Sequence, residues 1–231
     1  GGIDKSFDAV LFVGYHSPAG FDGNPLSHTM NRGNNYVKFN GELCSEFLMH
    51  AFYAAELGVP SVFLSGDRAL CSHVHHWDPQ IRTVAVKEGL GEATISITPE
   101  EACERIRQAA KEGVENRASC HIQLPETLTM EISFKDHYRA HRASYYPGVK
   151  QTGPYTVEFT GHSVHEVATA RMFFYNHTVK PKKGLPDPFF GKADIHTQFR
   201  SEARKCAINH EIRSGREGAR IPCKVHTNRL Q

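Results

Sequence analysis

"VKFNGELCSEFLMHAFYAAELGVPSVFLSGD" runs from Val37 to Asp67, and reading its three parts decides the fold. "YVKFN" at 36–40 alternates apolar and polar side chains, as a half-buried strand does, and Gly41 interrupts it. From Glu42 to Leu57 apolar residues at 43, 47, 48, 51, 52 and 55 follow a helical period, and Gly58 with Pro60 stops it. "SVFLSGD" at 61–67 is a short apolar run closing on Gly-Asp, the pattern of a strand buried on both faces. Strand, helix and buried strand in succession predict an α/β domain.

The same alternation extends outward. Ala9–Val13 reads as a buried strand ending in "GYHSPAG", and residues 17–35, rich in Gly, Asn, Pro and Ser, read as a flexible loop. A short helix fits 68–77, and strands fit 82–86, 127–134 and 155–159. "TPEEACERIRQAAKEGVE" carries the clearest helix signals: Thr98 as N-cap, Pro99 at the first turn and Glu101 closing a capping box. "SVHEVATARMFFYNH" is a further helix. The expected architecture is α/β, a mixed sheet flanked by helices, over residues 1–177. From 178 to 231 "KPKKGLPDPFFGK" and scattered arginines predict a basic extension with little regular structure. That extension carries 12 Lys/Arg against 5 Asp/Glu, a charge of +7, while the rest carries −5.

Composition excludes several classes. Hydrophobic residues make up 39% and charged residues 23%, the balance of a globular protein, and no run of about 18 apolar residues offers a membrane span. Gly1–Lys5 resembles no signal peptide and lacks an initiator Met, so a fragment or processed product is expected. The six cysteines form no CxxC pair, which argues against a zinc ribbon or a dense disulfide scaffold and for free thiols in a reducing, cytoplasmic setting. The basic extension offers Phe189, Phe190 and Phe199 as its aromatics without a stacking pattern, so nucleic acid is not an expected partner.

Fifteen histidines direct attention to metal chemistry. His16 follows a buried strand, His28 lies in the loop segment "LSHT", and Glu42 lies in "NGE". Two imidazoles and a carboxylate suit Zn²⁺, although their spacing matches no compact zinc motif. Each also has a plainer reading. His16 can be a turn residue, His28 a solvated loop histidine, and Glu42 a carboxylate at a helix N-terminus, worth roughly 0.3–1 kcal/mol there. His73, His75 and His76 do not share one helical face and read as surface. Cys44 has no adjacent base and reads as a small helix residue. His50 and His165 read as ordinary polar helix positions. Asp67 either lines a pocket at a strand end or merely makes a Gly-Asp turn.

"LFVGYHSPAG", "LSHT", "VKFNGELCSEFLMHAFYAAELGVPSVFLSGD", "AVKEGLGEATISITPEEA" and "YPGVKQTGPYTVEFTGHSVHEVATARMFF" together resemble the zinc-dependent D-aminopeptidases of the dipeptide-operon type. The resemblance runs in order over roughly three quarters of the chain. It implies an α/β hydrolytic enzyme with two zinc ions, His16 and Glu42 as zinc ligands and His28 as a catalytic residue. It also implies short peptides or amides as substrates and release of an N-terminal D-amino acid. The family pattern opens with an Asp-x-Glu motif and a further histidine ligand, which residues 1–6 do not supply. The expectation is therefore part of a dinuclear site, completed within a homo-oligomer or by a complementing N-terminal chain. The alternative is a non-catalytic remnant acting as a structural or interaction protein, with its basic tail on an acidic partner.

Overall fold

The computed structural model describes residues 2–176 and the backbone of 223–225. Two five-stranded sheets form the frame. In the first, β1 (Val10–Tyr15), β4 (Ser61–Asp67) and β5 (Arg82–Leu90) run parallel in the order β1-β4-β5, and β6 (Ala93–Ser96) adds an antiparallel edge. The short β10 (Cys223–Val225) pairs in parallel with Leu11–Val13 on the far edge. The second sheet is antiparallel throughout, in the order β3-β2-β7-β9-β8, with β2 at Asn34–Phe39, β3 at Glu42–Leu43, β7 at Leu128–Phe134, β8 at Lys150–Gln151 and β9 at Thr156–Gly161. The expected mixed sheet with flanking helices is present. The second sheet is a separate body of strands that the sequence reading had not set apart from it.

The buried runs explain the arrangement. Every residue of β4 is buried, as a central parallel strand between two covered faces requires. Leu128, Met130, Ile132 and Phe134 alternate along β7 and fill the inner face of the second sheet. Helix α1 (Glu46–Glu56) lies between the two sheets. Its Phe47 meets Phe12 of β1 edge-on at 4.9 Å, and its Phe52 lies 6.0 Å from Phe39 of β2. Each such ring contributes roughly 1.5–3 kcal/mol by leaving water. The remaining helices are α2 (Arg68–Trp77), α3 (Pro99–Glu115), α4 (His137–Ala143) and α5 (Val164–Asn176). Thr98 caps α3 by accepting from the Glu101 amide at 3.3 Å, as its capping signature predicts.

Three expectations change here. The helix predicted from Glu42 begins at Glu46, because Ser45 is its N-cap and accepts from the Leu48 amide at 3.1 Å. Glu42 and Leu43 instead pair with β2 as β3, so Glu42 is not a carboxylate at a helix N-terminus. Cys44 is a buried residue between β3 and α1 and not a helix residue. The basic extension expected from 178 onward lies outside the described residues, apart from β10. No helix among the described residues is long and apolar enough to cross a membrane. Cys44, Cys71, Cys103 and Cys120 are free thiols.

Gly113 shows how closely α3 packs. A Cβ there would lie 2.5 Å from the Val62 carbonyl oxygen of β4, a backbone atom that cannot yield. Gly113→Ala gains up to about 1 kcal/mol in helix propensity, yet the overlap outweighs it. The variant is expected to lose about 1–3 kcal/mol in a urea melt, with a thermal midpoint lower by roughly 2–4 °C per kcal/mol. A neutral or stabilising effect would show that α3 does not rest on β4 as described.

Candidate active site

The three parallel strands end side by side, and the carboxyl ends of parallel strands are where open α/β sheets bind ligands. His16 follows β1, Asp67 ends β4, and Lys87 lies beside it on β5, with Asp67 and Lys87 in register. Gly14 sets the direction of His16. Its φ of 75° lies in the left-handed region, and its amide donates to Ser65 Oγ at 3.1 Å where the β1–β4 register shifts. A Cβ at Gly14 would touch nothing within 4 Å, so the requirement is conformational and not steric. His16 thereby follows directly on the end of β1.

Asp67 is fully buried and meets four donors. The Ser17 amide (2.7 Å), Ser17 Oγ (2.5 Å), Asn24 Nδ2 (3.1 Å) and the Leu70 amide (2.9 Å) all donate to its carboxylate. The last of these makes Asp67 the N-cap of α2. Asp67 is therefore more than a Gly-Asp turn: it ties the loop after His16 to the start of the next helix.

That loop is held along its length, contrary to the expected flexibility of 17–35. The His28 amide donates to the Ser17 carbonyl at 3.1 Å. Thr29 Oγ1 accepts from the Ala19 amide at 3.1 Å and donates to the Cys44 carbonyl at 2.8 Å. Asn34 Nδ2 donates to the Thr29 carbonyl at 3.0 Å and to the Tyr175 hydroxyl at 2.7 Å. The result brings His28 to His16, with ring centroids 5.4 Å apart and planes tilted by 44°.

Charged groups surround this pair. Lys87 Nζ lies 3.3 Å from His16 Nδ1. Burial lowers the Lys87 ammonium from its ordinary range, and Asp67 acts in the opposite sense. Glu46 Oε1 lies 3.6 Å from His28 Nε2 and accepts from the Met30 amide at 2.9 Å. Behind Glu46 sits Arg171 of α5, whose Nη1 is shielded from solvent and has no hydrogen-bond partner among the described residues. Burial lowers the Arg171 guanidinium, while Tyr175, Cys44 and Glu46 raise it. Burial also pushes the Tyr175 phenol well up.

The predicted residues thus fall into two groups. His16 and His28 come together. Glu42 is exposed on β3, and its charge acts on His73. His73 is not a plain surface residue: it stacks on Phe21 at 5.8 Å, and burial is the main cause lowering its pKa. His75 and His76 are exposed, as expected. His50 accepts or donates at the Tyr15 hydroxyl (3.1 Å), and His165 lies 3.5 Å from the Tyr53 hydroxyl. Glu46, Lys87 and Arg171 were not singled out from sequence. Glu46 looked like one more polar position on the α1 period, and Lys87 like the end of a strand.

Comparison with known proteins points to one family. Residues 1–173 match the family model described as D-aminopeptidase. A D-aminopeptidase of Bacillus subtilis (strain 168) is 25% identical over 174 residues, covering 74% of this chain and 63% of that protein. Among solved structures, the Zn-dependent D-aminopeptidase DppA from Bacillus subtilis, described as a self-compartmentalizing protease, superposes with a TM-score of 0.70. Its identity is also 25%, over 76% of this chain and 65% of that one. The chain therefore spans somewhat less than two thirds of the length of these relatives.

The zinc dependence of the relative raises the question of fit. The donors at this end of the sheet have the right chemistry: a strand-tip imidazole, a second imidazole beside it and the Glu46 carboxylate next to the second. Among the described residues, however, no group of three or more His, Cys, Asp or Glu is arranged to hold a metal ion. These residues fit as one flank of a metal site.

Asp67 generates a direct expectation. In Asp67→Ala, four donors lose their acceptor and α2 loses its cap. The cost should be at least about 3 kcal/mol in a denaturant melt, with faster hydrogen exchange at the Ser17 and Leu70 amides. A loss below about 1 kcal/mol would mean that the loop carrying His28 is held by other contacts.

Proposed function

We propose, on the premise that the chain belongs to the D-aminopeptidase family, that it is a zinc-dependent aminopeptidase or amidohydrolase acting on short peptides or amides with a free N-terminal amine. The observation that carries this reading is the pairing of His16 and His28 at the carboxyl ends of the parallel strands, 5.4 Å apart. His16 and Glu42 act as zinc ligands, His28 is the catalytic acid/base, and the remaining donors come from a complementing segment or subunit. Zinc, two ions per complete site, supplies a water acidified toward neutrality and a polarised carbonyl.

The chain's own residues account for the rest. His28 stands beside the ligand histidine, where it can hold the proton that the attacking water gives up and return it to the departing amine nitrogen. The Lys87 ammonium, 3.3 Å from His16 Nδ1, is the cation beside the ligand histidine that is available to stabilise a tetrahedral oxyanion. The Asp67 network fixes the loop, so His28 meets substrate with little reordering. Release of D-configured residues, homo-oligomerisation and a cytoplasmic setting complete the proposal. The first two are supported by the family and the self-compartmentalizing relative, and the last by the free thiols.

A non-catalytic remnant is the second reading. It is favoured by the lack, among the described residues, of a three-donor group.

The test uses the natural full-length protein loaded with zinc, with D-Ala and L-Ala amides and dipeptides as substrates. Turnover of the D substrates is expected. His16→Ala should lose bound zinc and lower kcat/KM by more than about 100-fold, with a thermal midpoint within a few degrees of the parent. Activity on L substrates alone would keep the hydrolytic chemistry and reject the stereochemistry. Zinc bound without turnover of either would favour the remnant.

A further inference from the structure

We propose that the outer edge of β5 at Arg82–Ala85 is a second ligand site, separate from the paired histidines, and that it takes a short peptide with free termini as an added strand. The site stands on a sheet edge and the helix beside it, and it does not depend on the hydrolytic reading above.

The edge exists because β6 stops early. β6 pairs with β5 from Leu90↔Ala93 to Lys87↔Ser96, and the Ile97 amide then donates to the Val86 carbonyl at 3.2 Å. Thr98 caps α3 and Pro99, which has no N–H, opens it, so the chain leaves the ladder there. Backbone groups alternate in direction along a strand. Val86 turns its carbonyl to β6, whereas Gly89 turns the other way and donates to the Gly23 carbonyl at 3.2 Å. Val84 and Arg82 share the direction of Val86. Their N–H and C=O groups therefore point away from β4, to a side where no strand among the described residues pairs with them.

That edge is the floor of a groove of about 540 Å³, a size typical of small-ligand sites. Its wall is one face of α3, where Glu104, Gln108 and Glu112 follow one another every four residues and Arg105 and Ala109 lie alongside. Charge is divided along the groove. Arg68, the first residue of α2, bonds through Nε to Glu88 Oε2 at 2.8 Å and so stands toward the carboxyl end of β5. Glu112 Oε2 lies 3.7 Å from Arg82 Nε, at the start of the strand. Because α3 begins beside Val86 and reaches Arg82 at Glu112, Arg105 falls on the Arg68 side of Glu112. Glu104 is paired with Arg107. The other pairs, Arg105 with Glu101 at 2.5 Å and Glu112 with Gln108 at 2.8 Å, are exposed contacts of the kind that exchange readily.

A short peptide meets each of these features. Its amides offer the donor and the acceptor that match Val84, which is how a strand is added to a sheet edge. Its carboxylate reaches Arg68 and Arg105, and its ammonium reaches Glu112, so the chain runs parallel to β5. Ala85 and Ala109 leave space for small apolar side chains. A simple carboxylate or a simple amine would use one end of the groove and leave the Val84 backbone unmatched.

The test is a titration of the zinc-loaded full-length protein with tri-L-alanine in large excess, followed by amide and methyl NMR and by hydrogen exchange. Saturable shifts are expected at the Val84 amide and the Ala109 methyl, and at saturation the Val84 amide should exchange at least about 10-fold more slowly. Amidating the peptide's C-terminus, acetylating its N-terminus, Arg105→Ala and Glu112→Gln should each weaken binding about fivefold or more. Ala109→Trp, which fills the groove, should abolish it, and the two capped peptides test the same point on the parent protein if that variant does not fold. Capped peptides that bind as tightly as the free one overturn the proposal. So do shifts confined to the neighbourhood of His16 and His28, or equal shifts produced by acetate, which would mark a simple anion site. A Val84 amide already protected without peptide would mean that a second copy or the rest of the chain fills the groove, and this also overturns it.

Discussion

A buried carboxylate at the end of the central strand is the constraint on which the site depends. Asp67 has no exposure to solvent, and a carboxylate in that position is tolerated only because Ser17, Asn24 and the Leu70 amide surround it with donors. Those donors come from three places: the segment after β1, the loop beyond it and the first turn of α2. One side chain thus fixes the relative positions of two strand ends, a helix and the loop that carries His28. Removing it would not simply cost a cap. It would release the chain that aims the second histidine at the first.

From that anchor the geometry propagates outward. Ser17, held by Asp67, accepts from the His28 amide, and Thr29 joins the loop to Cys44 at the junction of β3 and α1. The same junction carries Glu42 on β3 and Glu46 in the first turn of α1, four positions further along. Two sheets with different pairing rules meet here. The parallel sheet supplies His16 and Lys87, and the antiparallel sheet with α1 supplies the carboxylates.

The sequence made part of this legible. Continuous apolar runs marked β1 and β4, alternation marked β7, and Thr98-Pro99 marked α3, because each signal is local; β4 and β7 bury what their patterns predict, whereas β1, expected to be fully buried, is only partly so. The apolar run before Gly-Tyr-His marks the strand whose tip carries His16, while the positive φ of Gly14 there had no signal of its own. Other features had no local signal. Ser45 and Glu42 compete to begin α1, and strand pairing with β2 decides between them. The loop at 17–35 has a flexible composition, yet its partners, Asp67, Cys44 and Tyr175, lie up to 141 residues away in sequence. Glu46 and Arg171 become notable only when α5 packs against α1.

The central claim, that the strand-tip histidine is a zinc ligand at a site shared with the β3 carboxylate, is tested most directly by anomalous diffraction at the zinc edge from crystals of the zinc-loaded full-length protein. The account predicts an anomalous peak about 2.0–2.1 Å from a His16 ring nitrogen and about 2.0–2.2 Å from a Glu42 carboxylate oxygen. A peak at neither residue, with zinc bound stoichiometrically elsewhere, would contradict it.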